Sequence, residues 1–320
     1  MRSRRVPEGA APRQRIAEPR RNPRRDWHTR IVPDASALIS PEALAARLGD
    51  PDLRIADVRW YLGEPERGRR EYDRGHIPGA IFVDLDADLA APSGAGRHPL
   101  PDPADFAGRL ARLGFGSDDL IVAYDDVLGT VASRLWWMLD NLGHKRAAVL
   151  DGGLRAWRDA GLPESTEAPA PTLALAPDRL RLADRWSNVI DRDELVGRLD
   201  DVTLIDARAP ERYRGEVEPV DPRAGHIPSA ISAPAKVALG DDGRFLERAE
   251  LAERLRSVAP DGRPVVVSCG SGVTACHTAL AMRVAGFPDP LLYPGSFSDW
   301  SRSELPVAVG PEPGKLREGS

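Results

Sequence analysis

Cysteine is scarce. The 320-residue chain has two, Cys269 and Cys276. So close together, across what reads as a strand-to-helix turn, they build no disulfide framework, and a reducing, cytoplasmic setting fits them best. No apolar run approaches the roughly 20 residues needed to span a bilayer, and no secretory signal is visible, so no membrane partner is expected. The net charge of −5 argues against nucleic acid as a partner of the folded part. Walker and dinucleotide fingerprints are missing, and Cys276-His277 lacks zinc-ligand spacing; no cofactor and no metal are expected. The acidic balance breaks only in residues 1–30, where ten arginines face Glu8, Glu18 and Asp26. Residues 1–32 read as a disordered basic tail or a mis-assigned start, with a targeting peptide or a nucleic-acid arm as alternatives.

What is present is repetition. The run Leu53-Arg-Ile-Ala-Asp57-Val-Arg-Trp60 precedes Gly75-His76-Ile-Pro-Gly-Ala-Ile81; later, Leu204-Ile-Asp206-Ala-Arg208 precedes Gly225-His226-Ile-Pro-Ser-Ala-Ile231. Each copy continues through a helical stretch (Phe106–Leu113, Leu251–Leu255) to a buried strand (Leu120–Tyr124, Val265–Ser268). Each then closes on a tryptophan, Trp157 or Trp300, before Leu162-Pro163 or Leu305-Pro306. Strands alternating with helices predict an α/β fold made twice, each copy a mainly parallel sheet flanked by helices. The expected boundaries are 33–164 and 185–309, with a Pro/Ala-rich linker over 165–184 and a tail over 310–320.

One position separates the copies. Cys269 follows the valine-rich strand, precedes a helix predicted from Thr274 to Gly286, and is trailed by Gly270-Ser271-Gly272-Val273. Glycines there let successive backbone N–H groups converge on one sulfur atom, and with a helix N-terminus they favour a thiolate or a persulfide. In the first copy the same position is Asp125, next to Asp126, a pair that reads as capping and solvated more readily than catalytic.

The two Gly-His-Ile-Pro-(Gly/Ser)-Ala motifs, the strand-end Asp57 and Asp206, and Cys269-Gly-Ser-Gly-Val-Thr-Ala275 together resemble the tandem rhodanese family of sulfurtransferases over roughly residues 33–309. The loop is most similar to that of 3-mercaptopyruvate sulfurtransferases. The resemblance implies an inactive first domain and a catalytic second one, with Cys269 carrying a persulfide between a small anionic sulfur donor and an acceptor. That acceptor would be cyanide or a thiol, thioredoxin-like or of low molecular weight. It implies 3-mercaptopyruvate as donor, with thiosulfate as the alternative and a non-catalytic sulfur-carrier or regulatory module as the rival outside enzymes. Gly270, Gly272, Val273 and Thr274 would line the donor site.

The resemblance also assigns Arg212 to the donor's anionic group, while Arg214 is read as a surface arginine. A second arginine, which some family members carry nine residues on, is replaced here by Asp221; Arg223 is the expected substitute. Ser271 matches a donor-polarising serine and His76 the histidine behind it. The acid of that set has no match, with Glu66 and Asp73 as neighbours; because His226 repeats His76, a structural role for His76 stays open. Trp60 matches a residue of the interdomain cleft. Cys276 reads as a buried apolar residue. Ala275 stands where a phosphatase on a related fold would need its arginine, which excludes that chemistry.

Overall fold

The computed structural model describes residues 37–167, 169, 179–259 and 262–316. The basic stretch 1–32 and half of the expected linker lie outside them.

Five short runs form the first sheet: β1 (Leu38–Ile39), β2 (Leu53–Asp57), β3 (Ala80–Phe82), β4 (Leu120–Tyr124) and β5 (Ala147–Leu150). They pair in the order β1-β5-β4-β2-β3, every neighbour parallel. The second sheet uses β6 (Thr203–Asp206), β7 (Ile231–Ser232), β8 (Val265–Ser268) and β9 (Leu291–Leu292), in the parallel order β7-β6-β8-β9. A single bridge from Val189 to Leu292 stands where the first sheet has β1. Parallel strands need crossovers and cover on both faces, which is why β4 and β8 are apolar along their length.

The first domain's helices are α1 (Pro41–Ala45), α2 (Arg67–Arg74), α3 (Leu85–Asp88), α4 (Pro103–Arg112), α5 (Ala132–Asn141) and α6 (Gly153–Asp159). The second has α7 (Arg192–Val196), α8 (Pro210–Tyr213), α9 (Arg248–Val258), α10 (Ala275–Ala285) and α11 (Ser296–Trp300). Ser40, Asp102 and Asp191 cap α1, α4 and α7 by accepting backbone N–H bonds, and Gly286, at φ 83°, closes α10 in the left-handed region.

The repeat is written in hydrogen bonds as well as letters. Asp57 pairs with Arg59 at 2.6 Å and Asp206 with Arg208 at 2.7 Å, and each arginine also donates to the carbonyl of the motif glycine, Gly75 or Gly225. Trp157 and Trp300 donate to Pro163 and Pro306, both at 2.8 Å. The copies meet along α5 and α10, both buried over most of their length. One apolar core runs through the seam, containing Leu135 and Met138 of the first domain with Val273, Ala279 and Leu280 of the second.

Candidate active site

Cys269 leaves the end of β8 and is 2% exposed. The start of α11 pins this strand end. The Cys269 N–H donates to Ser296 Oγ at 3.1 Å, the Phe297 N–H to the Cys269 carbonyl at 3.0 Å, and the Ser298 N–H to the Gly270 carbonyl at 2.8 Å. Gly272 lies at φ 75°, and a Cβ there would come within 2.5 Å of the Pro294 carbonyl oxygen, so only glycine fits. Gly270 serves differently from the sequence expectation. It is outside the left-handed region, and what it provides is room: a Cβ there would lie 2.8 Å from Arg97 Nη2 and 3.4 Å from Arg212 Nη1. Among the described residues, the N–H groups of Gly270 to Thr274 have no acceptor elsewhere in the chain.

The first copy shows what such a turn collects. The Asp125 carboxylate accepts N–H bonds from Val127, Gly129, Val131 and Ala132, all at 2.8 Å. Burial raises this carboxyl more than the four N–H groups lower it, so it stays above the ordinary carboxylate value although the turn surrounds it with backbone donors. Neighbouring Asp126 accepts from the Tyr61 hydroxyl.

The side chain that reaches Ser271 is His98, not His76. His98 Nδ1 lies 2.8 Å from Ser271 Oγ, and Nε2 lies 3.1 Å from Asp86 Oδ1. The His98 hydrogen bond holds the Asp86 carboxyl below its ordinary value, and Trp60 Nε1–H adds a second bond to it at 2.9 Å. An ionised Asp86 accepts a hydrogen bond from Nε2–H, which leaves Nδ1 as the acceptor for the Ser271 hydroxyl. Trp60 also stands edge-on to the His98 ring at 5.2 Å.

His76 is engaged elsewhere. Its ring stacks on Tyr72 at 4.0 Å, with Nδ1 2.9 Å from the Tyr72 carbonyl and Nε2 3.0 Å from that of Glu167. His226 repeats every contact with Tyr213 and Glu312. Glu66 and Asp73 do not supply the acid either: Glu66 sits at the start of α2, and Asp73 pairs with Arg69 on the surface.

Arginines surround the mouth. Arg212 bonds Glu218 at 2.7 Å and stands 3.5 Å from Asp221. Asp221 also pairs with Arg97 and lies 3.5 Å from Arg302, while Arg208 joins Asp206 to Glu218. Burial raises Glu218, but the Arg212 bond and two backbone N–H groups outweigh it and hold the carboxyl low. Four guanidiniums (Arg97, Arg208, Arg212, Arg302) against three carboxylates (Asp206, Glu218, Asp221) leave this network one positive charge. Arg223 cannot substitute for the missing arginine, because its guanidinium donates to the carbonyls of Trp300, Ser301, Ser303 and Leu305. Arg214 pairs with Glu216 at the surface.

Beneath the loop, the fully buried Arg134 of α5 donates to the carbonyls of Gly272 (3.1 Å) and His98 (3.0 Å), tying together the two segments that bear Ser271 and its partner. The Cys276 thiol donates to the same Gly272 carbonyl at 3.3 Å, and burial pushes it up to about 12, so it is a neutral packing group. Among the described residues no helix is long and apolar enough to cross a membrane, and no cluster of three His, Cys, Asp or Glu side chains could hold a metal.

Two parallel sheets bearing the same internal bonds, one followed by a cysteine and the other by a carboxylate, define an α/β domain made twice. The rhodanese-like domain family matches residues 40–160 and 191–303, and the chain belongs to that family, carrying its domain twice. It is a sulfurtransferase enzyme. A Pseudomonas aeruginosa protein named "Probable 3-mercaptopyruvate sulfurtransferase" is 46% identical over 286 residues, covering 86% of this chain and 99% of its own. The mouse thiosulfate sulfurtransferase is 35% identical over 289 residues, covering 84% and 93%. The crystal structure of SseA from Escherichia coli, described as a 3-mercaptopyruvate sulfotransferase, superposes with a TM-score of 0.71 at 30% identity, covering 82% of this chain and 99% of that one.

Proposed function

We propose that the enzyme moves sulfur from 3-mercaptopyruvate to an acceptor through a persulfide on Cys269. The observation that carries the donor assignment is the line Ser271–His98–Asp86, because it aims a hydroxyl backed by a base at the loop, where a ketone oxygen can receive it. The Cys269 thiolate attacks the thiol sulfur of the donor. An S–S bond forms as the C–S bond breaks, and the electron pair passes onto the ketone oxygen as an enolate. Ser271 turns its one hydroxyl hydrogen from His98 Nδ1 to that oxygen, and the enolate takes a proton at carbon and leaves as pyruvate. Cyanide or a thiolate, free or on a thioredoxin-like protein, then attacks the outer sulfur and releases Cys269. Arg212 binds the donor carboxylate, the backbone from Gly270 to Thr274 cradles the charged sulfur, and the single surplus positive charge of the network suits a monoanion. In this reading residues 33–164 supply the wall and residues 185–309 the nucleophile, in the cytoplasm.

Thiosulfate is the second reading, favoured by the approach of two guanidiniums to Gly270. Steady-state kcat/KM for the two donors, each with cyanide and with a thiol acceptor, decides between them; a clear thiosulfate preference with both acceptors reverses the assignment. Intact mass after exposure to donor should show one added sulfur, kept in Cys276→Ser and lost in Cys269→Ser.

A further inference from the structure

Arg134 stands on α5 of the first domain, beneath the loop that carries Cys269, and its side chain is fully buried. A guanidinium taken out of water is costly unless an anion meets it. Among the described residues no carboxylate does. Nη1 and Nη2 donate to the carbonyls of Gly272 and His98, at 3.1 and 3.0 Å, and Nε has no partner. The other guanidiniums around the loop are each matched: Arg97 with Asp221, Arg208 with Asp206 and Arg212 with Glu218. Burial pulls Arg134 below the ordinary arginine value, and the groups that oppose this are the sulfurs of Cys276 and Cys269. Cys276, pushed up to about 12, stays protonated, which leaves Cys269 to supply the anion.

The first copy shows that backbone donors alone do not satisfy a buried charge. Four N–H groups surround the Asp125 carboxylate, yet burial still holds it above its ordinary value. With Asp125 set on Cys269, the position of Arg134 in α5 falls on Thr278 in α10, an uncharged residue. The buried cation goes with the loop that holds a sulfur.

We propose that Arg134 is the standing counter-charge of the Cys269 sulfur, lent across the seam by the first domain, so that a thiolate or a persulfide completes a buried ion pair that the chain leaves half made. Both sulfur forms carry one negative charge, so the pairing holds through the whole proposed cycle. The two carbonyl bonds fix where the charge sits, and Arg134 itself makes no bond to the donor.

The proposal rests on Cys269 as the sulfur carrier, and its test needs no donor turnover. Neutral iodoacetamide reacts with a thiolate rather than a thiol, so its rate at Cys269 across about pH 5 to 10, read by mass after digestion, follows the charge on that sulfur. Removing an opposite charge from beside an ionisable group moves such a profile by about one pH unit or more. Arg134→Gln, which keeps an amide N–H for a carbonyl but no charge, should shift it that far to the alkaline side. Arg134→Lys, which keeps the charge and loses the planar fork, should stay within about half a unit of wild type. Arg155→Ala, which removes an equal charge from the surface, should leave the profile in place. A shift under about half a unit in folded Arg134→Gln overturns the proposal, and so does an equal shift in Arg134→Lys, which would give the effect to the bonds instead of the charge. Should Arg134→Gln not fold, Arg134→Met is judged by the same limits. Sulfur added to wild-type Cys269 beside an unshifted Arg134→Gln profile sinks Arg134 and keeps the carrier reading. A shifted profile in a protein that takes up no sulfur upholds Arg134 and sinks that reading instead.

Discussion

His98 and Ser271 meet at 2.8 Å although 173 positions separate them, one from each copy of the duplicated domain. Cys269, the proposed nucleophile, belongs to one copy, and His98, which meets the neighbouring hydroxyl, to the other. Catalysis of the proposed kind therefore depends on the seam between the copies as much as on the loop.

Ser271→Ala and His98→Gln should each lower kcat with mercaptopyruvate by about a hundredfold or more, the usual yield of a placed acid or base. Thiosulfate, which offers no ketone, should feel the change much less. Asp86→Asn should show the same donor bias with a smaller loss, since Asp86 orients His98 from a half-exposed position. Parallel donor kinetics check this; equal losses with both donors would contradict it.

His76→Ala should reduce stability while leaving turnover nearly intact. The change strips the carbonyls of Tyr72 and Glu167 of their partner and removes a stacked ring. Each lost buried partner costs about 1–3 kcal/mol. Urea unfolding beside kcat/KM separates the two effects, and a hundredfold loss of activity in a stable His76→Ala protein would return His76 to the site.

Arg212→Ala should lose about ten- to a hundredfold in kcat/KM, from the same loss of a charge-assisted contact.

His277 gives the protein an acid limit. It is fully buried on α10, stacked on Phe245 at 4.8 Å, and burial pushes it down to about 4. An unfolded histidine titrates near 6.5. Between those values the unfolded chain binds a proton that the folded one refuses, so stability is full above about pH 6.5 and is lost as pH falls toward 4. The loss is about 3 kcal/mol by pH 4. Denaturant unfolding across that range should show the slope, and His277→Leu should flatten it whatever its absolute stability.

The duplicated fold was legible because its signals are local: short apolar strands, a repeated turn motif and a closing tryptophan in each copy. The strand, glycine turn and helix around Cys269 were legible for the same reason, since they are contiguous. His98 was not. It lies in an irregular Gly/Ser/Pro-rich stretch without periodicity, and its partners come from 12 positions before and 173 after. The resemblance put His76 behind Ser271, whereas its recurrence as His226, which left a structural role open, is the mark of a turn built twice. One signal did point the other way: His98 lies outside the repeated motif, beside an arginine. Asp221 could not be understood in one dimension, because the arginine it holds is 124 positions away.

The turn around Asp125 has a consequence for the history of the molecule. Its carboxylate occupies, as a fixed part of the chain, the seat that a charged sulfur would occupy in the sister loop. On the proposed cycle, the second domain alternates between filled and empty while the first is filled for good. On that reading a copy that carries its own occupant has no turnover of its own, and what it brings to the proposed reaction is the side chains it lends its neighbour: Trp60, Asp86 and His98.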